Sequence, residues 1–392
     1  MKNAKITIRA CFAGYIVQAV VNNFLPLLFV ELTREFAIPL SEITLLVTFN
    51  FGIQLVIDLC SAPVIRRFGY RFCLVFAHVM AAAGLLLLSF LPDHMDPMAG
   101  VLISVLVYAT GGGFLEVMIS PVVESCPSDN KEAAMSLLHS FYCWGQLGVV
   151  LLSTLYFHFA GISSWRLLAA LWAILPVANG ILFCLVPLYP VSGDDESGMR
   201  LPELAKSGPF WLLFILMLCA GASEQAVSQW ASTFAETGLH VSKSIGDLAG
   251  PSFFAFLMGS SRAFYGVKGQ KIKLLAFMEG SALLCVASYL LISLSPVAAL
   301  SLFGCGIAGL SVGILWPGTF SIAAKVLPKG GTMLYALLAL AGDLGCSAGP
   351  TLAGFVAAGS DLRHGILSAI VFPLVMFLGC LAVQRQERPA KR

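Results

Sequence analysis

Charge is scarce in this chain of 392 residues: only 11% are Asp, Glu, Lys or Arg, less than half the roughly 25% of soluble domains. With 58% hydrophobic residues and a mean hydropathy of +0.88, a soluble globular domain is excluded. Paired cysteine spacing is also missing. The 11 cysteines are scattered through apolar runs, so they read as small apolar fillers and not as a disulfide framework. His139 and Cys143 stand four apart, but two ligands fall short of a metal site, and nothing points to a cofactor. Basic clusters are lacking too. The net charge is +2 with the basic residues spread out, which gives nucleic-acid binding no support. There is no HExxH pair, no plausible Ser/His/Asp set and no added soluble signalling domain, which argues against an enzyme and against a receptor.

What the chain has is apolar length. Runs long enough to cross a bilayer, about 20 residues each, recur at roughly 9–32, 42–65, 71–91, 98–122, 132–159, 165–188, 208–235, 244–266, 271–293, 296–321, 330–357 and 364–384. These predict an all-α membrane protein with twelve transmembrane helices; the runs are too long for barrel strands. The first run follows a positive flank like that of a signal peptide, but it is long and turns polar at Asn22 and Asn23, so it reads as a retained helix. Of the 23 Lys and Arg, all but Arg34, Arg166, Lys243 and Arg363 fall on the side of the two termini. The excess of positive charge there predicts cytoplasmic termini and a multi-pass protein of the plasma (inner) membrane, read as a monomer.

The longest polar interruption, 190–208 (PVSGDDESGMRLPELAKSG), divides the chain into a bundle over 1–189, a cytoplasmic linker and a bundle over 209–392. The two halves repeat. AGYIVQAVVNNF from Ala13 and AGASEQAVSQWA from Ala220 share A-G-x-x-x-Q-A-V-x-[NQ] without a gap. Gly145-Gln146-Leu147-Gly148 answers to Gly342-Asp343-Leu344-Gly345, and Pro121 to Pro317. Two parallel six-helix repeats are the signature of the major facilitator fold. The loop APVIRRFGYR, 62–71, resembles the superfamily's G-x-x-x-D-R-x-G-R-R loop, keeping Arg67, Gly69 and Arg71 but carrying Arg66 and Tyr70 where the pattern departs. The run from Leu138 through His139 to Gly148, with Glu224, Trp230 and Gly259-Ser-Ser-Arg262, resembles the fucose permease and sodium-dependent glucose transporter-like group. That resemblance implies a sugar symporter.

At 100° per residue, Glu224, Gln225, Ser228, Gln229 and Ser232 make one polar stripe within about 140°, with Trp230 outside it. Gln18, Asn22 and Asn23 give the same arc in the first helix. Amides both donate and accept, which suits hydroxyls of a small neutral solute; the alternative is that they tie helices together. Gln146 joins this set, and a sugar ring can stack on Trp230 or Trp316, although packing roles fit both equally. An acid at mid-membrane depth costs about 2.5–3.5 kcal/mol on insertion scales. No Lys or Arg falls deep enough in this assignment to pair with Glu224, which would be most cheaply kept protonated and would release its proton when the cavity opens. Asp343, and His139, a residue type with a reference pKa of about 6.5, rank behind it as proton-coupling groups. Asp58 and Glu116 lie in the cytoplasmic half, where gating contacts with Arg66, Arg67 or Arg262 compete with a structural role. The expectation is a secondary carrier moving a sugar-like solute with protons. Sodium coupling and export of lipophilic compounds are the alternatives.

Overall fold

The computed structural model describes residues 2–127, 131–189, 199, 201–268 and 272–387. The chain is helical throughout these residues, and eleven helices are long and apolar enough to cross a membrane. Mostly apolar segments put no partner for backbone N–H and C=O groups within reach except their own helix, so each span satisfies its backbone internally.

In chain order the first helices are α1 (Lys2–Asn23), a 3-10 turn at Leu25–Leu28 and α2 (Phe29–Phe36). A long element, α3 (Leu40–Leu88), follows, then α4 (Pro97–Ser125), α5 (Lys131–Ala160), α6 (Trp165–Trp172) and α7 (Ile174–Leu185). α3 holds two predicted spans, joined where Gly69 takes φ 81°, a left-handed conformation open to glycine at little cost. Arg71, two residues on, donates to the carbonyls of Phe183, Cys184 and Val186 at 2.7–2.8 Å. It thereby satisfies the orphan carbonyls at the end of α7.

The second half begins with α8 (Leu201–Ala205) inside the predicted linker, much of which lies outside the described residues. It continues with α9 (Gly208–Ser228), α10 (Ala231–Thr233), a π-turn at Phe234–Gly238, α11 (Lys243–Asp247) and a second π-turn at Leu248–Ser252. Then come α12 (Phe253–Lys268), α13 (Leu274–Leu294), α14 (Ala298–Val312), α15 (Leu315–Val326), α16 (Gly331–Gly359), α17 (Leu362–Ser368) and α18 (Val371–Glu387). The predicted span 244–266 is therefore broken. Gly250 and Pro251 occupy the π-turn, and a proline there lacks the N–H that would continue an α-helix.

The chain forms two compact units: Met1–Ser192 with Ala235–Leu248, and Gly193–Phe234 with Ala249–Arg392. In unit 1, α1 packs on α4, α5 and α7; in unit 2, α9 packs on α14, α15, α16 and α18. The repeat-related pairs α1/α5 and α9/α16 thus associate in their own units. Their seams use the small residues of the repeat. A Cβ on Gly145 would stand 3.0 Å from the Cβ of Ala19, and one on Gly345 would stand 2.9 Å from the backbone nitrogen of Ala222. Such close approach is how membrane helices gain packing energy where lipid gives none.

Candidate functional site

In unit 1 the first-helix amides meet partners from α3, α4 and α5. Gln18 Nε2 donates to Gln54 Oε1 at 3.0 Å and to Glu116 Oε2 at 2.8 Å. Gln54 Nε2 and Asn50 Nδ2 both donate to Asn22 Oδ1, at 2.8 and 3.2 Å. Asn22 and Asn23 reach the Tyr142 hydroxyl at 3.5 and 3.4 Å, and Asn23 also donates to the Ala19 carbonyl at 3.0 Å. Gln18, Asn22, Asn23, Asn50 and Gln54 are all buried. The cluster ties four helices together and sits where α1 ends and the chain turns through Pro26.

In unit 2 the corresponding amides run along one helix. Gln229 Nε2 donates to Gln225 Oε1 at 3.0 Å, and Gln225 Nε2 donates to Glu224 Oε1 at 3.4 Å. The other oxygen of Glu224 takes Arg262 Nη2 at 3.0 Å, in an ion pair whose side chains are 8% and 14% exposed. This corrects the expectation that no base reaches Glu224, and it places Arg262 in this pair. Arg262 stands within α12, which runs from Phe253 to Lys268, two residues past the end of the predicted span. Arg262 Nε also meets the Gly313 carbonyl at 3.3 Å, where α14 ends.

α9 stops at Ser228, and the chain turns at Gln229 and Trp230 before α10. The stripe from Glu224 to Ser232 is therefore not one unbroken helical face. Trp230 is fully buried and donates its indole N–H to the Pro350 carbonyl of α16 at 2.9 Å, so it ties the turn after α9 to α16. Trp316 lies over Gly342, where an added Cβ would strike its ring. Asp343, next to it, is 7% exposed and Gln146 1%. His139 is exposed, with its ring set edge-on to Tyr15 at 5.6 Å, and the Tyr15 hydroxyl shares a hydrogen bond with Ser120 at 3.0 Å. Arg66 and Arg67 are exposed, Arg67 lying over the Phe68 ring at 5.5 Å, while Asp58 is half-buried.

The family model described as Major Facilitator Superfamily matches residues 10–350. The chain belongs to the major facilitator superfamily. Its fold is similar to that of a bacterial homologue of the human lysosomal transporter Spinster in an inward-facing, occupied conformation. That match has a TM-score of 0.78 and 13% identity, over 98% of either chain. It is also similar to a mutant of the nucleoside transporter NupG, with a TM-score of 0.77 and 11% identity over 96% of this chain and 99% of the other. No curated protein matches the chain in sequence. This major facilitator protein is a secondary transporter of a small-molecule solute and not an enzyme.

Three features of the transporter were not found from its sequence. Asn50 and Gln54 stand four apart in the second apolar run, a helical spacing that puts both on one face; that spacing was a usable signal. The Arg262–Glu224 pair joins residues 38 positions apart, a separation that leaves no local pattern. The third is a cavity of about 790 Å³ in unit 1, whose lining includes Glu31, Arg34, Phe157, Glu236, Lys243 and Asp247. In it Lys243 pairs with Glu236 at 3.2 Å and with the fully buried Asp247 at 3.1 Å, while Asp247 Oδ2 accepts from the Thr154 hydroxyl at 3.2 Å. Among the described residues no group of three or more His, Cys, Asp or Glu is arranged to hold a metal ion.

Proposed function

We propose that this transporter moves a small polar solute, a sugar or sugar-like compound, by alternating access coupled to protons. The observation that carries the reading is the Glu224–Arg262 pair beside Gln225 and Gln229. A carboxylate held out of water must be neutralised, and two agents can do this: the Arg262 guanidinium or a proton. When Arg262 withdraws, a proton from the water-filled side moves onto Glu224 Oε2; when Arg262 returns, that proton leaves. Solute held by the neighbouring amides biases the exchange, which is what coupling requires. Asp343 and His139 are the further proton-coupling candidates. Gln18, Asn22, Asn23, Gln146, Gln225, Gln229 and Trp316 are the candidate solute contacts, and Asp58, Glu116, Arg66 and Arg67 the candidate gating groups. The bundles 1–189 and 209–392, joined by a cytoplasmic linker at 190–208, work as a monomer in the plasma (inner) membrane with both termini cytoplasmic.

Counterflow in proteoliposomes, with hexoses, polyols and nucleosides as solutes and imposed proton or sodium gradients, tests this. A proton gradient should drive concentrative uptake of a sugar, and Glu224→Gln should leave facilitated exchange but abolish concentration against the gradient. Uptake driven by sodium alone, or indifferent to both gradients, refutes proton coupling. Transport of nucleosides without sugars refutes the solute class.

A further inference from the structure

A proline within a helix withholds a hydrogen bond from the carbonyl four residues before it. In unit 2 that carbonyl belongs to Gly313, because Pro317 stands in α15 with no N–H to offer it. The helix breaks at this point: α14 ends at Val312, Gly313 and Ile314 form a joint, and α15 starts at Leu315. The joint backbone stays close to helical, with φ −53° and ψ −35° at Gly313 and φ −90° and ψ −19° at Ile314. The Gly318 N–H bonds the Ile314 carbonyl at 2.7 Å. Pro121, the repeat counterpart of Pro317, lies inside α4, which runs on unbroken, so a proline alone does not make the joint.

Arg262 supplies what Pro317 withholds. Its Nε meets the Gly313 carbonyl at 3.3 Å while its Nη2 holds Glu224 Oε2 at 3.0 Å. α12 comes this close because Gly313 has no side chain: a Cβ there would stand 2.7 Å from the Cβ of Ser261 and 2.9 Å from the Met258 carbonyl oxygen. A guanidinium is a rigid plane, so its N–H groups turn together, and a movement that gives up Glu224 also gives up the carbonyl. Among the described residues Arg262 is the charged partner of Glu224. From the other helices around α9, α16 brings the buried Asp343, and Tyr289 of α13 gives its hydroxyl to the Ser223 carbonyl at 2.8 Å. Beyond the joint, α15 bears Trp316, which lies over Gly342 of α16.

We propose that Arg262 ties the charge of Glu224 to the bend between α14 and α15. While Glu224 is ionised, one guanidinium holds the acid and caps the Gly313 carbonyl, and the joint is pinned. When a proton on Glu224 releases Arg262, the carbonyl loses its donor, and α15 with Trp316 is free to move relative to α14. Arg262 is a positioning residue, acting on Trp316 through the joint. The inference rests on the proton-coupled reading for what drives the switch, but the cap itself depends on neither the proton nor the solute.

The test is hydrogen–deuterium exchange of the full-length protein in nanodiscs, read by mass spectrometry over residues 311–322 and corrected for the intrinsic rate, which reports local opening of the joint. Arg262→Lys keeps a positive charge for Glu224 but loses the fork, and should speed exchange at the joint at least about tenfold. Adding Pro317→Ala returns an N–H to the Gly313 carbonyl and should bring the rate back to within about twofold of wild type, a rescue that a merely structural Arg262 would not show. Glu224→Leu offers no oxygen in place of the acid, so the buried guanidinium loses its counter-charge and the joint should exchange faster at every pH. Wild type should exchange faster at the joint at pH 5 than at pH 8, and Pro317→Ala alone, which leaves Arg262 in place, should not. The proposal is overturned if Arg262→Lys or Glu224→Leu leaves the joint as in wild type, or if Pro317→Ala fails to rescue. A pH response that survives in Pro317→Ala also overturns it, while leaving proton coupling intact. A joint that answers to both variants and to the rescue, but not to pH, upholds the tie and removes the proton reading.

Discussion

Cutting the Glu224–Arg262 pair from the Arg262 end should cost more than replacing both ends with neutral side chains, and a four-protein cycle measures the coupling. The charged atoms lie 3.0 Å apart on side chains 8% and 14% exposed, so solvent screening is slight. Removing one partner of a buried pair costs about 3–5 kcal/mol, because the other charge stays desolvated. The ends are not equal. A carboxyl stranded by Arg262→Met can escape by taking a proton, so that variant should lose about 3 kcal/mol at neutral pH and less at pH 5. The guanidinium stranded by Glu224→Gln cannot lose its proton, but it keeps the Gly313 carbonyl at 3.3 Å and gains an amide oxygen, so about 2 kcal/mol is expected. The double variant removes both charges of the pair and should also lose about 2 kcal/mol, which makes the coupling about 3 kcal/mol. Reversible unfolding in mixed micelles, followed for wild type, both single variants and the double, gives the number. Single effects that add to within about 0.5 kcal/mol would refute the claim that these residues neutralise each other.

Other contacts give sharp contrasts. Gly345→Ala would drive a Cβ into the Leu218 carbonyl and against Ala222, forcing α9 from α16 at a cost of about 1–3 kcal/mol. Its repeat counterpart Gly148 faces open space, so Gly148→Ala should be near neutral by the same unfolding assay. Trp230→Phe keeps most of the ring but loses the bond to the Pro350 carbonyl; stability should fall by about 1–3 kcal/mol while solute affinity, read by thermal shift, stays unchanged. Lys243→Met leaves the fully buried Asp247 with the Thr154 hydroxyl and should cost about 3–5 kcal/mol. Adding Asp247→Asn should recover most of that loss, and a double variant as unstable as the single would show that the ion pair is not the cause.

The fold was legible because bilayer length and helical period are global constraints that a single sequence displays. The repeat was legible for a similar reason: Ala13–Phe24 and Ala220–Ala231 align without a gap, and their helices break within two aligned positions of each other, after Asn23, which aligns with Trp230, and after Ser228. The breaks themselves could not be read. Pro26 was visible in the first half, but nothing in Gln229-Trp230 marks a turn, and the π-turn at Leu248–Ser252 depends on packing that a periodicity count ignores. Arg262, the partner of Glu224, lies 38 positions away, on a helix that ends at Lys268, two residues past the predicted span. Burial of amides was legible; their partners were not. Gln18 bonds to residues 36 and 98 positions away, and contacts at such separations leave no local pattern.

The repeat also accounts for an asymmetry in the sequence, where Glu224 aligns with Val17 and the first helix has no acid at that position. Its glutamine still meets one. Gln18 and Gln225 are repeat partners, and each gives its amide N–H to a carboxylate: Gln18 to Glu116 from α4, and Gln225 to Glu224 from its own helix. The two halves share the glutamine-to-carboxylate contact, with the acid at a different place in the chain. A carboxylate next to the glutamine fixes amide polarity in both halves. The acid of unit 2 also pairs with Arg262. Under the proposed coupling, that buried base is the competitor a proton must displace, so protonating Glu224 would change which groups are paired.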